Sequence, residues 1–593
     1  MTWQAWATLA VVAGVLGLLV RGRVSPAVAV LGGTVVVYAL GIVNTEQALA
    51  GFSNPAPLTV AALYVVAAAV AKTGALEPLL HGALGDSARG LRGPLGRLAV
   101  PAAAASAFLN NTPIMAMLIP QVSSWAARKR VSVSKLLMPL SFAVILGGIV
   151  TVIGTSTNLV VSGLMLDAGI GAMGFFEIGK VGLPIALVGV ALLVLMGPRV
   201  LPARKSVQEE LESGTRRYYV EMTVVPGGPL EGATVEAAGL RDLQGVFLTS
   251  VDRGDTVIAP VRPETVLRGG NRLRFAGQVS HVLDLQARPG LESAETEHIS
   301  SLEDPSVRYY ETVIGARSPL VGQTLRSAGF RSTYQAAVVA IHRDGEMLDA
   351  KLGRVTLRVG DTLVLISDPG FGKRWADRDD FLLIAPMGQT PAQPIATWRS
   401  WMAIGVLAAI VVLAALNVVP ILLGALVGAM VLVALRVISA AEARRSIDLE
   451  VIVVIAGAFG LAAAMENSGL AQSVANGTVS ALSGLGDRGV LLGVIVATVV
   501  LTEMITNNAA ALLMFPIGIT IAAQTSLNPV GVAIAIAVAA SASFLTPIGY
   551  QTNTMVYGPG GYRFGDYWRL GLPLTALVVI MLVWLVPVMW PGG

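Results

Sequence analysis

The sequence predicts a polytopic α-helical membrane protein. It is read as two inverted repeats, each of five transmembrane helices plus one re-entrant hairpin, with an inserted α+β cytosolic domain made of two small related units. Three observations predict this. Of the 593 residues, 54% are hydrophobic and 13% charged, about half the charged fraction usual in a soluble protein. The apolar residues gather at the two ends, while 201–395 reads as an ordinary soluble segment. The two apolar ends repeat one another at a spacing of 395 residues.

Spans are expected near 3–20, 25–43, 57–71, 137–165 and 180–197, and again near 399–416, 420–436, 449–465, 531–557 and 570–589. Most are long enough for a hydrocarbon core of roughly 30 Å. The stretches 95–125 and 489–523 are apolar but broken midway by polar residues, and are read as hairpins. The first run starts at Trp3 and continues into further membrane-length segments, which separates it from a removable signal peptide. The expected organisation is a first membrane repeat over 1–200, an insert over 201–395 and a second repeat over 396–593. Trp3 and Trp6 match Trp398 and Trp401, and Gly74 matches Gly469. Gly154-Thr-Ser-Thr-Asn158 matches Gly549-Tyr-Gln-Thr-Asn553, and Asn110-Asn111 matches Asn507-Asn508 one or two residues off that register. Matches in the same order along both halves mark a duplication.

Basic residues occupy the loops at Arg21–Arg23, Arg89–Arg97, Arg128–Lys135, Arg436–Arg445 and Arg563–Arg569, which the positive-inside rule makes cytoplasmic. The loops at 43–57, 166–178, 417–420 and 524–530 carry few positive charges. The path then starts outside and returns inside after five spans. The insert is cytoplasmic, the second half runs in the opposite sense, and both termini lie outside a cell membrane crossed many times. Inverted repeats are a recurring transporter architecture. The first hairpin enters from the cytoplasm and the second from outside, so their tips meet near mid-membrane. A net charge of +4, spread over short loops, excludes nucleic acid as a partner. Without cysteine there are no disulfides or thiolate metal sites. No nucleophile–base set or metal cluster stands out, so the chain is not read as an enzyme.

The first tip reads Ser106-Ala-Phe-Leu-Asn110-Asn111-Thr112-Pro113, the second Thr502-Glu503-Met504-Ile505-Thr506-Asn507-Asn508. Asn and Thr are good N-caps and Pro suits the first helical turn, so each second arm starts in mid-membrane with its amides aimed at the tip. The spans at Gly154–Asn158 and Thr546–Asn553 also look broken. Unpaired backbone groups in lipid cost several kcal/mol each, so such breaks persist only where something satisfies them. Helix N-termini attract anions, and exposed carbonyls and hydroxyls coordinate small hard cations. The tips hold no Arg or Lys, so an anion bound there needs co-bound cations, which points to Na+. Polar residues in membrane helices also serve as interhelical glue, but four polar breaks paired across a duplication favour a ligand site. Glu503, a carboxyl within a membrane hairpin, is a functional candidate by default, or simply bonded to backbone.

These tips and Gly-x-x-Thr-Asn loops resemble the divalent anion–sodium symporter family, over both membrane halves. The resemblance implies a homodimer in the lipid bilayer, with an elevator-like motion and one small dianionic substrate bound with sodium ions at the two tips. Carried over by position, the first sodium site would use Ser106, Asn110, Asn111 and Gly154, and the second Thr502, Ile505, Asn507 and Gly549. Substrate would touch Asn110, Asn111, Thr112, Thr155, Ser156 and Asn158, and Thr506, Asn507, Asn508 and Asn553. The loops here read Gly-Thr-Ser-Thr-Asn and Gly-Tyr-Gln-Thr-Asn where dicarboxylate members carry Thr-Pro-Pro-Asn. The chain is more similar to the sulfate-type branch, whose members also bear a cytosolic insert. The resemblance thus implies sodium-coupled symport of a small divalent oxyanion, sulfate first. A C4-dicarboxylate or citrate carrier and a non-transporting anion sensor are the alternatives. A channel-like cation protein is disfavoured because no Thr-Val-Gly-Tyr-Gly-type filter is present.

Within the insert, 216–278 and 306–370 repeat at a spacing of 90. Pro229-Leu-x-Gly232-x-Thr234 matches Pro319-Leu-x-Gly322-x-Thr324, and Gly270-Asn-x-Leu273 matches Gly360-Asp-x-Leu363. Each unit is expected as short strands around one small helix, and the acidic linker Val279–Pro305 as flexible. The units resemble TrkA C-terminal (RCK-C) domains, which implies a ligand-sensing role and a nucleotide-type regulator at His342 and Arg343. Read from the residues alone, His342-Arg343-Asp344-Gly345 is a turn between two strands. The orientation is testable because the chain lacks cysteine: a cysteine at Ser132 is expected to label only from the cytoplasm, and one at Ser526 only from outside. Labelling of both from one face would remove the inverted reading.

Overall fold

The structure, a computed structural model, describes residues 1–592 apart from 22–23, 75–90, 130, 205–217, 241–242, 244–245, 255, 259–260, 278–288, 294–307, 316–317, 344–345, 349–351, 376–377, 379 and 387–397. The chain is a polytopic helical membrane protein, and among the described residues eight helices are long and apolar enough to cross a bilayer. The first half runs α1 (Trp3–Arg21), α2 (Pro26–Ala39), α3 (Thr45–Ser53), α4 (Pro55–Lys72), α5 (Arg92–Ser106), α6 (Asn111–Lys129), α7 (Ser134–Gly148), α8 (Ser156–Asp167) and α9 (Gly179–Val200). After the insert, whose short helices are α10 (Phe330–Tyr334) and α11 (Phe371–Trp375), come α12 (Trp398–Ala415), α13 (Ile421–Ala434), α14 (Ala440–Ser446) and α15 (Leu449–Asn467). They are followed by α16 (Leu470–Leu482), α17 (Gly486–Met504), α18 (Asn507–Gln524), α19 (Pro529–Ser541), α20 (Gln551–Tyr557) and α21 (Phe564–Met589). Laid over one another at the 395-residue spacing, the two series match element for element wherever both are described.

Local chemistry explains where these helices start. Ser25 accepts from the Val28 amide just before Pro26, Asn54 from Ala56 just before Pro55, and Asn528 from Val530 just before Pro529; a polar cap followed by a proline that needs no donor is a favoured helix opening. Asn44 with Gln47, and Ser439 with Glu442, form capping boxes that open α3 and α14. The sequence reading missed both of these short helices. It also missed α16, and a strand lies in the acidic linker: Leu291–Ser293 pairs with Met222–Val224 and buries Leu291. Most of that linker falls outside the described residues.

The halves interlock rather than sit side by side. Lys72, at the end of α4, pairs with Glu442 just ahead of α15 (2.6 Å). Asn467, at the end of α15, donates to Gln47 just ahead of α4 (2.9 Å). The second contact is the first one translated by 395 residues with the halves exchanged. The Lys72 ammonium, with the Ser439 amide and hydroxyl, holds the Glu442 carboxyl down at about 2. Helix approach between halves is close: the Thr34 hydroxyl reaches the Gly457 carbonyl (2.6 Å), and a β-carbon on Gly51 would stand 2.1 Å from the Ala456 oxygen. Small residues permit this backbone proximity, which in lipid replaces hydrophobic burial as the source of packing energy.

The insert holds two five-stranded antiparallel sheets. The first has β1 (Tyr218–Val224), β2 (Val246–Asp252), β3 (Val257–Ile258), β4 (Arg272–Gly277) and β5 (Leu291–Ser293), in the order β3-β2-β4-β1-β5. The second has β6 (Arg308–Val313), β7 (Ala336–Arg343), β8 (Glu346–Met347), β9 (Thr362–Ser367) and β10 (Leu383–Pro386), in the equivalent order β10-β6-β9-β7-β8. Even the irregularity recurs, between Leu248 and Ser250 in β2 and between Val338 and Ala340 in β7. In the second sheet Leu363 and Leu365 join Tyr310 and Phe371 in the unit's own core, while Val364 and Ile366 join Val339 and Ala340 on the other face. That second face meets the membrane helices. Val313, Leu383 and Ala385 are continuous with the membrane core, and a β-carbon on Gly558, just past α20, would overlap the Thr362 hydroxyl.

Overpacking a close backbone contact costs about 1–3 kcal/mol or more. Gly51→Val is therefore expected to lower the unfolding temperature by several degrees. Gly32→Ala, where a β-carbon meets nothing within 4 Å, should match or exceed the parent chain. Thermal unfolding in detergent, read by light scattering and tryptophan fluorescence, compares the two.

Candidate functional site

The helices break at four places within the buried core. α6 opens at Asn111 and α18 at Asn507, at the tips expected from the sequence. The broken spans part between α7 and α8 and between α19 and α20. Each half ties its own tip and its own loop by the same bonds. The Ser106 hydroxyl donates to Asn111 Oδ1 and to the Val144 carbonyl (2.7 Å). The Thr502 hydroxyl donates to Asn507 Oδ1 (2.8 Å) and to the Ala540 carbonyl. Asn158 Nδ2 spans its break by donating to the carbonyls of Gly148 (3.0 Å) and Thr151 (2.8 Å). Asn553 Nδ2 does the same to Ser543 (2.9 Å) and Thr546 (3.4 Å). The six side chains that make these bonds are all predicted positions, and Ser106, Thr502, Asn158 and Asn553 are fully buried.

A second set of bonds crosses between halves. Asn111 Nδ2 donates to the Tyr550 hydroxyl (2.7 Å), and the Thr112 hydroxyl to Gln551 Oε1 (2.9 Å). In return Asn508 Oδ1 accepts from the hydroxyls of Ser156 (3.2 Å) and Thr157 (3.0 Å). Tyr550 also bonds Thr155, its own repeat equivalent. Tip one is thus held by loop two, and tip two by loop one.

Oxygen ligands converge beside each tip. In the first half, a β-carbon on Gly148 would lie 3.1 Å from Asn111 Oδ1 and 3.4 Å from the Gly154 carbonyl oxygen, so both oxygens face one small space. Gly154 cannot be larger, because its own β-carbon would stand 2.5 Å from the Gly148 carbonyl. In the second half, a β-carbon on Gly549 would lie 2.2 Å from Ser543 Oγ, 2.8 Å from Glu503 Oε2 and 3.0 Å from Thr546 Oγ1. Glu503 accepts there from the Leu545 amide (2.8 Å) and the Thr546 hydroxyl (2.9 Å). Hydroxyl, amide and carbonyl oxygens at this density suit a small hard cation. Three buried polar atoms in this region have no hydrogen-bond partner among the described residues: Asn507 Nδ2, Asn158 Oδ1 and Ser543 Oγ.

Of the remaining predicted positions, Asn110 accepts from the Thr112 amide (3.3 Å) and caps α6. Ile505 is buried and extended at the tip, while Thr506 is exposed beside it. Sequence reasoning missed Tyr550, Gln551, Thr157 and Ser543. In the insert, His342 is buried, and Arg343 is clamped by both Asp361 oxygens (2.8 and 2.7 Å) and the Thr356 carbonyl (2.7 Å).

A model described as citrate transporter matches residues 15–517 and 479–591. The chain belongs to the citrate transporter family. Members of this family are transporters, not enzymes, and the resemblance to divalent anion–sodium symporters holds at that level. A Chlamydomonas reinhardtii protein with the provisional name sulfur deprivation response regulator is 33% identical, over 95% of this chain and 98% of its own. An uncharacterized transporter of Synechocystis is 34% identical over 92% and 90%. Sodium/sulfate cotransporter 1 of Chlamydomonas reinhardtii is 26% identical over 91% and 84%.

A buried carbonyl stripped of its partner costs about 1–3 kcal/mol. Asn158→Ala strips the Gly148 carbonyl, since Thr151 keeps the Gly154 amide (3.3 Å), and Asn553→Ala strips those of Ser543 and Thr546, so each is expected to destabilise the protein measurably in a thermal melt. Asn553→Ala should cost more, because Asn553 Oδ1 also accepts from Ser141 (2.8 Å) whereas Asn158 Oδ1 has no partner among the described residues. Wild-type melting of both variants would contradict the bracing role assigned to these amides.

Proposed function

We propose that the protein is a sodium-coupled symporter of a small divalent oxyanion, with sulfate as the first candidate. The observation that carries this reading is the crossed arrangement of tips and loops. Two helix N-termini, two sets of cation-type oxygens and an unpartnered Asn507 amide meet at the contact of the two halves, with no cationic side chain among the tip residues. A dianion at that depth costs at least ~2.5–3.5 kcal/mol per charge on insertion scales, and co-bound Na+ offsets it. The sodium/sulfate cotransporter among the relatives supports the choice of ion and anion. The family's description favours a second reading, in which citrate or a C4-dicarboxylate is the cargo of the same site.

The repeats are inverted in this reading. The exchanged pairs Lys72–Glu442 and Gln47–Asn467 set the end of α4 beside the start of α15 and the reverse, as antiparallel equivalents require. The basic loops around α14 place the charged pair at the cytoplasmic face. The insert is cytosolic and regulatory, with TrkA-C-like units. A regulator that takes Arg343 must displace Asp361, and the transport motion is elevator-like within a homodimer.

Substrate and sodium binding are then reciprocally coupled. Asn111→Ala and Asn507→Ala should weaken sodium affinity and, through it, sulfate affinity, with partial rescue at high sodium. Asn417→Ala, in an external loop, should do neither. Uptake into proteoliposomes with sodium and then choline outside tests this. Sulfate uptake that is equal in both media, with both tip variants unaffected, would remove the symport reading.

A further inference from the structure

We propose that Tyr550 is the specificity-determining residue that restricts this site to a compact dianion. This rests on the symport reading above and deepens it. Two of the bonds between tip and opposite loop lack a counterpart among the described residues, Thr157 to Asn508 and Asn111 to Tyr550, while the others form an equivalent pair. Thr112 reaches Gln551, and their repeat equivalents Asn508 and Ser156 also meet. Asn111 Nδ2 donates to Tyr550, whereas Asn507 Nδ2, its equivalent, has no partner among the described residues although Asn507 is only 7% exposed. The cause is the residue opposite. Thr155 stands where the other loop has Tyr550, and its short side chain leaves the second tip's amide uncapped.

The consequence is a one-sided set of donors. At the second tip an anion meets the free Asn507 amide and the N-terminus of α18. At the first tip the corresponding amide is already taken by the tyrosine hydroxyl, and the ring fills the space between tip and loop. An anion whose two charges share one tetrahedral centre can be served from one side. A dicarboxylate carries its charges on separate carboxylates and needs a donor at each tip, so it must break the Asn111–Tyr550 bond and displace the ring. Tyr550 acts on selectivity through Asn111 and through volume, and no bond is made or broken in the cargo.

The test uses the full chain purified into proteoliposomes with saturating sodium, and compares sulfate with succinate and citrate. The wild type should prefer sulfate. Tyr550→Thr, which gives this loop the side chain of its equivalent, is expected to raise the succinate-to-sulfate ratio by at least about tenfold, the scale of one released hydrogen-bond donor. Tyr550→Phe keeps the ring and frees the Asn111 amide together with the Thr155 hydroxyl, so its ratio should move the same way by severalfold. If Tyr550→Thr fails to fold, the Phe variant decides. A sulfate-preferring wild type whose folded variants keep the parental ratio overturns the role of Tyr550 and leaves the symport reading standing. A wild type that prefers succinate or citrate overturns the restriction itself. Binding of none of the three anions removes the symport reading, and this proposal with it.

Discussion

Helix ends placed inside a bilayer leave backbone donors and acceptors that lipid cannot satisfy, at several kcal/mol each. This chain has such ends at both tips and both broken spans, and the rest of the membrane structure follows from how they are closed. Within a half, Ser106 and Thr502 fasten each tip to the neighbouring span, and Asn158 and Asn553 bridge each break from below. Between halves, the bonds from Asn111, Thr112 and Asn508 join tip to opposite loop. These cross-half bonds run side chain to side chain, so they fasten the halves to one another while each half closes its own backbone ends.

A duplicated frame also shows where the copies have parted. Gly148 in the first half is Ser543 in the second, Ala107 is Glu503, and Thr155 is Tyr550. The first two changes bring a hydroxyl and a carboxylate to the space beside Gly549 that the first half leaves to carbonyl and amide oxygens. The two oxygen clusters therefore differ in their groups, although the bonds from Ser106 and Asn158 recur at Thr502 and Asn553. The third change alters the contact between tip and loop, and the helix that follows it also differs, twelve residues in α8 against seven in α20.

Most of this frame was legible in the sequence because membrane burial makes polarity expensive. Asn, Ser, Thr and Gly clustered inside apolar runs could only mark breaks, and their recurrence at one spacing aligned the halves. The short helices α3 and α14, of nine and seven residues, were not legible, since neither spans a membrane and their capping boxes lie within loops. Tyr550 and Gln551 were visible only as an inequality within a matched motif, Tyr-Gln against Thr-Ser. What each reaches depends on which loop faces which tip, and no single-chain pattern reports that crossing. β5 was hidden for a different reason: a three-residue strand gains its place from Leu291 packing under the sheet, within an otherwise acidic and polar stretch.

The second sheet of the insert rests on the turn that follows α20, with Thr362 against Gly558, and a β-carbon on Gly360 would lie 3.4 Å from the Tyr557 ring. Seven residues of helix separate that turn from the Gly549–Tyr550 loop. In the proposed transport motion this contact would work like a clutch plate. Any movement of the broken span across the membrane must either carry the sheet with it or slip at Gly558, where the lack of a side chain leaves a smooth bearing surface. A side chain at this one glycine would set how tightly the soluble half of the molecule is geared to the buried half.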